Sequence, residues 1–228
     1  AAAAEKAAAE KAAAADQAAV DKAAANQRIF SLIRALRSGS KFTLTNNETI
    51  TLPPSYNFKV ARGVENGAEI IVSDGCTLIA EGTRDKPLIF QPQPDVTVGT
   101  NAWQGINVQS GGSLTLTYVQ MKGCPLNVTN PTRATLTNVL MTHSGTGATF
   151  NNVREGTAQI RNFFTYETAL KVGGFQHLTF NDSTMTLKNV FIGSPGAAPS
   201  VEPNEGLPAI ALTNSNVRIT TLALIGWL

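Results

Sequence analysis

The chain has 228 residues, 43% of them hydrophobic and 15% charged, with a formal net charge of +2. Residues 1–37 carry six basic and four acidic side chains and residues 38–228 carry twelve of each, so the larger part lacks the clustered basic face that nucleic-acid binding requires. No apolar run is long enough to cross a bilayer, and two cysteines, Cys76 and Cys124, make neither a disulfide framework nor a zinc site.

In chain order, residues 1–27 read "AAAAEKAAAEKAAAADQAAVDKAAANQ". Alanine is the best helix former and no Gly or Pro interrupts it, so a helix is predicted. Its polar pairs scatter around the axis and leave no wide apolar stripe. This segment reads as a stalk or spacer; it also matches the composition of engineered rigid linkers. It shows no clean heptad, since Lys11 and Lys22 fall on the seam set by Ile29 and Leu36. The absence of a Met and of a signal sequence at the start suggests a fragment or a processed product.

Residues 28–40 are different. Ile29, Phe30, Leu32, Ile33 and Leu36 make an apolar face at helical spacing, and Gly39 is a stop signal. A short amphipathic helix is predicted here, lying on something apolar. From 41 to 228 the composition shifts to Thr, Asn, Val, Leu and Gly in short alternating runs such as "KFTLT", "EIIVS" and "GINVQS", which predict strands.

Within that region a pattern recurs in "SLTLTYVQMKG" (113–123), "ATLTNVLMTHS" (134–144), "TAQIRNFFTYE" (157–167), "MTLKNVFIGS" (185–194) and "VRITTLALIG" (217–226). Leu116, Leu136, Ile160, Leu187 and Ile219 form one column; Val119, Val139, Phe163, Val190 and Leu222 follow three residues on. A spacing of two keeps side chains on one face of a strand, and a spacing of three marks a corner with one inserted polar residue. That residue is Tyr118, Asn138, Asn162, Asn189 and Thr221 in the five copies. Asn tolerates the left-handed backbone such a corner needs. A period in the twenties with fixed strands and variable loops is the signature of stacked coils. Asn138, Asn162 and Asn189 would then form a ladder with a step of about 4.8 Å. Cys76 and Cys124 read as two small buried hydrophobes, with a bridge between stacked strands left open.

On these residues, and on "LIAEGTRDKPLIFQP" and "AWQGINVQSGGSLTLTYVQMKG" with their A-x-G-T, P-L-I-F and W-x-G-I, the chain resembles the right-handed parallel β-helix proteins of the pectate-lyase-like superfold. The resemblance covers roughly residues 55–228. It implies an all-β solenoid over 41–228, of roughly seven rungs, with residues 28–40 capping the first rung. The Ala-rich helix ahead of it is similar to the stalks of bacteriophage tail fibres and tailspikes. That likeness implies a homotrimer, other virion subunits or a cell-surface glycan as partners, and a virion or extracellular location.

Column alignment also tests for chemistry. His143 and Glu167 fall in one column, with Lys122 and Tyr166 alongside, and a His–carboxylate pair can act as base and orienter; the alternative is a solvated ion pair. Glu155 and Asp182 share a second column at a separation of about 5 Å, near that of retaining glycosidases; the alternative is carboxylates in solvated turns. The calcium and catalytic motifs of pectate lyases and polygalacturonases are missing. No cofactor and no metal site is expected. Thr-x-Thr at 115/117 and 135/137 is similar to flat ice-binding faces, but Gln159/Arg161 and Thr186/Lys188 occupy the same columns and break such a surface. Two Pro- and Gly-rich stretches, 91–101 and 193–208, are candidate binding loops with Asp95, Asn101, Glu202 and Asn204 as the polar groups.

The expectation is therefore a structural or receptor-binding virion component whose rigid body holds loops toward a glycan or a partner. Its rivals are a polysaccharide lyase or glycoside hydrolase and a bacterial adhesin.

Overall fold

A computed structural model describes residues 2–61, 67–93, 103–142, 147–166, 178–193 and 210–225. Its one helix among these, α1 (Ala2–Ser38), runs without a break through the predicted stalk and the predicted cap. At 1.5 Å per residue it is about 55 Å long. No residue in the Ala-rich run or at the 27/28 boundary is a helix breaker, so nothing separates the two parts. The amphipathic end alone is packed: Leu32 and Leu36 are fully buried, and Ile29, Ile33 and Ala35 lean on the core. The helix stops in a Schellman arrangement. Gly39 takes φ 72°, its N–H bonds the Leu36 carbonyl at 3.3 Å, and the Ser40 N–H bonds the Ala35 carbonyl at 2.9 Å. No described helix is long and apolar enough to cross a membrane.

The last turns of α1 lie on β1 (Lys41–Leu44), β2 (Thr49–Leu52) and β3 (Asn57–Val60). The strands that follow are β4 (Glu69–Val72), β5 (Thr77–Glu81), β6 (Leu88–Pro92), β7 (Gly105–Val108), β8 (Ser113–Lys122), β9 (Leu126–Thr129), β10 (Arg133–Thr142), β11 (Ala148–Asn151), β12 (Ala158–Tyr166), β13 (Leu178–Asn181), β14 (Thr184–Gly193), β15 (Ile210–Thr213), β16 (Asn216–Ile219) and β17 (Leu222–Ile225). They form two sheets. A seven-stranded sheet has the order β1-β4-β7-β9-β11-β13-β15. A ten-stranded sheet runs β16-β14-β12-β10-β8-β5-β2, with β3, β6 and β17 pairing alongside. Every recorded pairing is parallel. The chain alternates between the sheets, so each strand pairs with its counterpart one repeat away. What is shown is a mostly β protein of two parallel sheets and one helix.

Alternation builds the core. β2 buries Ile50 and Leu52 and exposes Thr49 and Thr51; β10 does the same with Ala134 and Leu136 inward. One buried cluster extends from Leu32 and Leu36 of the helix to Val190 of β14. Aromatic rings stack in it from strand to strand: Phe58 on Phe90 at 4.9 Å, Phe90 on Trp103 at 5.9 Å, Phe150 on Phe180 at 5.4 Å. The last repeat is less covered, with Leu212 55% and Leu222 42% exposed.

Candidate functional site

Two rows of bends position the asparagine ladders. The first lies in the middle of the long strands. Tyr118, Asn138 and Asn162 take φ 49°, 56° and 52°, the left-handed region. On either side the register is the one the sequence columns predict: Leu136 faces Leu116 and Ile160, and Val139 faces Val119 and Phe163. Asn162 Nδ2 donates to Asn138 Oδ1 at 2.7 Å. Asn189 lies in β14 between Lys188, which faces Arg161, and Val190, which faces Phe163; its side chain is outside the described residues.

The second row joins the seven-stranded sheet to the ten-stranded one. Asn130, Asn152, Asp182 and Asn214 all have positive φ, between 38° and 52°. Their backbone N–H groups step along the row, from Asn130 to the Asn151 carbonyl, from Asn152 to that of Asn181, from Asp182 to that of Thr213. Side chains follow: Asn130 Nδ2 donates to Ser110 Oγ at 2.8 Å and Asn214 Nδ2 to Asp182 Oδ1 at 3.3 Å. One residue earlier, Asn181 Nδ2 donates to Asn151 Oδ1 at 2.8 Å. Sequence reading missed this ladder, although the matched "FNNV" (150–153) and "FNDS" (180–183) carry its signal.

This row corrects one expected pair. Asp182 stands in register with Asn152 and Asn214 rather than with Glu155. The connection from β11 to β12 is longer than its neighbours, and Glu155 sits in its turn, three residues past the corner. Asp182 lines a cleft of about 420 Å³ with Asn130, Asn152 and Arg154. Glu155 lines a different one, with Gln159, Arg161 and Lys188. Glu155 and Asp182 therefore do not flank one scissile bond.

His143, Glu167, Asp95, Asn101, Glu202 and Asn204 lie outside the described residues. Segments 93–104, 143–147, 167–177 and 194–209 each lead from the end of a strand in the ten-stranded sheet to the start of one in the seven-stranded sheet. Those ends are in register with one another, Lys122 with Thr142, Thr142 with Tyr166, Tyr166 with Gly193. So are the starts, Leu126 with Ala148, Ala148 with Leu178, Leu178 with Ile210.

Charge is paired at the helix end of the molecule. Arg28 clasps Glu48 with Nε to Oε1 at 2.5 Å and Nη2 to Oε2 at 2.8 Å, and stands over the Phe42 ring at 4.7 Å. The Arg28 hydrogen bond holds the Glu48 carboxyl below its ordinary range and raises the guanidinium in turn. Lys41 Nζ meets Glu69 Oε2 at 2.8 Å, and Asn107 Nδ2 donates to Glu69 Oε1 at 3.0 Å. Cys76 and Cys124 are free and buried, and burial pushes the Cys124 thiol well up. Among the described residues no three His, Cys, Asp or Glu side chains converge in a way that would hold a metal.

No family model, curated protein or solved structure matches the chain. That finding overturns the kinship inferred from the sequence with the pectate-lyase-like proteins and with phage tail fibres and tailspikes. The A-x-G-T, P-L-I-F and W-x-G-I runs are accounted for by local geometry instead. Gly82 packs against the Leu88 and Tyr118 backbones, Leu88 and Phe90 are core, and Gly105 turns under the Pro125 carbonyl with φ 87°. Any chain turning between parallel strands at these places meets the same constraints.

Proposed function

We propose that the chain is a structural, ligand-presenting rod. Successive passes through the two sheets make one right-handed solenoid coil each, the hand that parallel crossovers nearly always take. The apolar end of α1 covers the first coil, and the Ala-rich remainder is a spacer. The Pro- and Gly-rich stretches 91–101 and 193–208, with Asp95, Asn101, Glu202 and Asn204, meet a surface glycan or a partner subunit, in a virion or other extracellular assembly.

The observation that supports this reading is the register of the strand ends that flank the long stretches. The connections at the second row of bends are two to six residues long, as at 182–183 and 152–157. The strand ends from which the chain enters its longer stretches lie in register, Lys122 with Thr142, Thr142 with Tyr166 and Tyr166 with Gly193. A rigid stack with its variable segments on one edge is built to hold a surface. The stack itself carries the polar ladders that keep the register.

The test replaces 196–206 with a short Gly-Ser linker and probes the full chain on an array of surface glycans. Binding by the parent that the replacement abolishes, at unchanged melting temperature, supports the proposal. Turnover of an acidic glycan by the parent, lost in Glu155→Gln or Asp182→Asn, contradicts it and favours an enzyme.

A further inference from the structure

On the outer face of the ten-stranded sheet, Arg161 of β12 and Lys188 of β14 stand directly opposite each other in adjacent strands. Strand spacing puts their Cα atoms about 4.8 Å apart. Both side chains are exposed, and among the described residues neither forms an ion pair. Like charges facing each other across a pair of strands are unfavourable. The same column holds uncharged hydroxyls in the preceding repeats, Thr117 of β8 and Thr137 of β10. The sequence thus swaps a neutral row for a repelling pair at one place. A further cation, Arg218 of β16, is in register with Thr186 beside them.

The spot is also concave. A cavity of about 360 Å³ is lined by Gln159, Arg161, Thr186 and Lys188, with the turn at Glu155 on one side and Thr220 on the other. Gln159 and Thr186 supply neutral donors next to the two cations. Charge that is costly when empty becomes favourable when one anionic group sits between both heads and takes charge-assisted hydrogen bonds from each. The cavity is lined by two cations, Arg161 and Lys188, and one carboxylate, Glu155, a local charge that suits one small anionic group and not the long backbone of a nucleic acid.

We infer that this cavity binds a single anionic group, a sulfate, phosphate or carboxylate, held by Arg161 and Lys188, with the Gln159 amide N–H and the Thr186 hydroxyl as further donors. The group comes either from a free anion or from an acidic saccharide. The site is built from residues of the sheet face, so it stands or falls independently of the stretches 91–101 and 193–208.

The test measures the melting temperature of the full chain as sulfate replaces chloride at constant ionic strength, and the affinity for a sulfated disaccharide by calorimetry. The expected result is a sulfate-dependent rise that Arg161→Gln and Lys188→Gln each remove, with affinity at least about tenfold weaker. Arg133→Gln, on the same face and opposite Ser113, retains the rise. Without sulfate, either variant melts at or above the parent temperature, because the repulsion is gone. Tighter binding of the disaccharide than of sulfate assigns the anion to a saccharide; equal binding assigns it to a free ion. No rise with sulfate and no heat with the disaccharide overturns the inference, as does a rise that survives in both variants.

Discussion

At Asn138 a single side chain does two jobs. It adopts φ 56°, which costs an ordinary residue about 1–2 kcal/mol, and it accepts the amide of Asn162 at 2.7 Å, a bond worth about 1 kcal/mol net. Asn138→Ala is expected to lose about 2 kcal/mol in urea unfolding, and Asn138→Gly less, since glycine pays no steric cost there. Equal losses would mean that backbone conformation does not matter at this bend. Glycines separate the same two effects. Gly105 has φ 87° and an added Cβ would fall 1.9 Å from the Pro125 carbonyl oxygen, whereas Gly156 has φ 82° with nothing within 4 Å. Gly105→Ala should cost more than about 3 kcal/mol or prevent folding, because backbone must move; Gly156→Ala should cost only the φ strain of about 1–2 kcal/mol. Comparable stabilities for the two variants would show that the strand does not approach Pro125 as described.

Among elements, α1 divides by function rather than by shape. Its last three turns carry Leu32 and Leu36 into the core and leave Phe30 70% exposed on the outer side, while Val20, further back, is 62% exposed. Removing residues 1–22 should leave the melting temperature of the β body within a few degrees. Leu32→Ala, which opens a cavity under the lid, should cost about 2–5 kcal/mol. The reverse ranking would place the helix's contribution outside the lid. The same junction makes stability depend on acid. Arg28 lowers the folded-state pKa of Glu48 below its ordinary value near 4.5. The unfolded chain therefore binds the proton more readily than the folded one, and this stability is fully present above that value and lost as pH falls through the lowered folded pKa. Glu48→Gln should flatten that part of the acid limb in a melting-temperature profile; an unchanged limb would exclude the pair as its source.

For the molecule as a whole, the sequence exposed the register of the long strands but not the second row of bends. The reason is where the insertions fall. Between Leu116 and Val119, or Leu136 and Val139, one left-handed residue makes the bend, so counting across it keeps the phase. Between β11 and β12 the connection is longer, and counting back from the later strand landed on Glu155 when the bend belongs to Asn152. The unbroken helix was hidden for another reason. Local composition marked a change of burial at residue 27, and burial changes without any change of backbone. The family resemblance failed because turn glycines and strand hydrophobes report local geometry, which unrelated chains share.

The strands stack parallel and in register along the molecule. Thr117, Thr137, Arg161 and Lys188 face outward in four successive strands of the ten-stranded sheet. Neighbours in that row lie about 4.8 Å apart, within the Cα separation a disulfide accepts. Cysteine pairs at 117/137, 137/161 and 161/188 should each cross-link rapidly and completely under mild oxidation, while 117/161 and 137/188, two strand spacings apart, should stay reduced. Failure of the adjacent pairs, or equal cross-linking of the distant ones, would contradict the stacking.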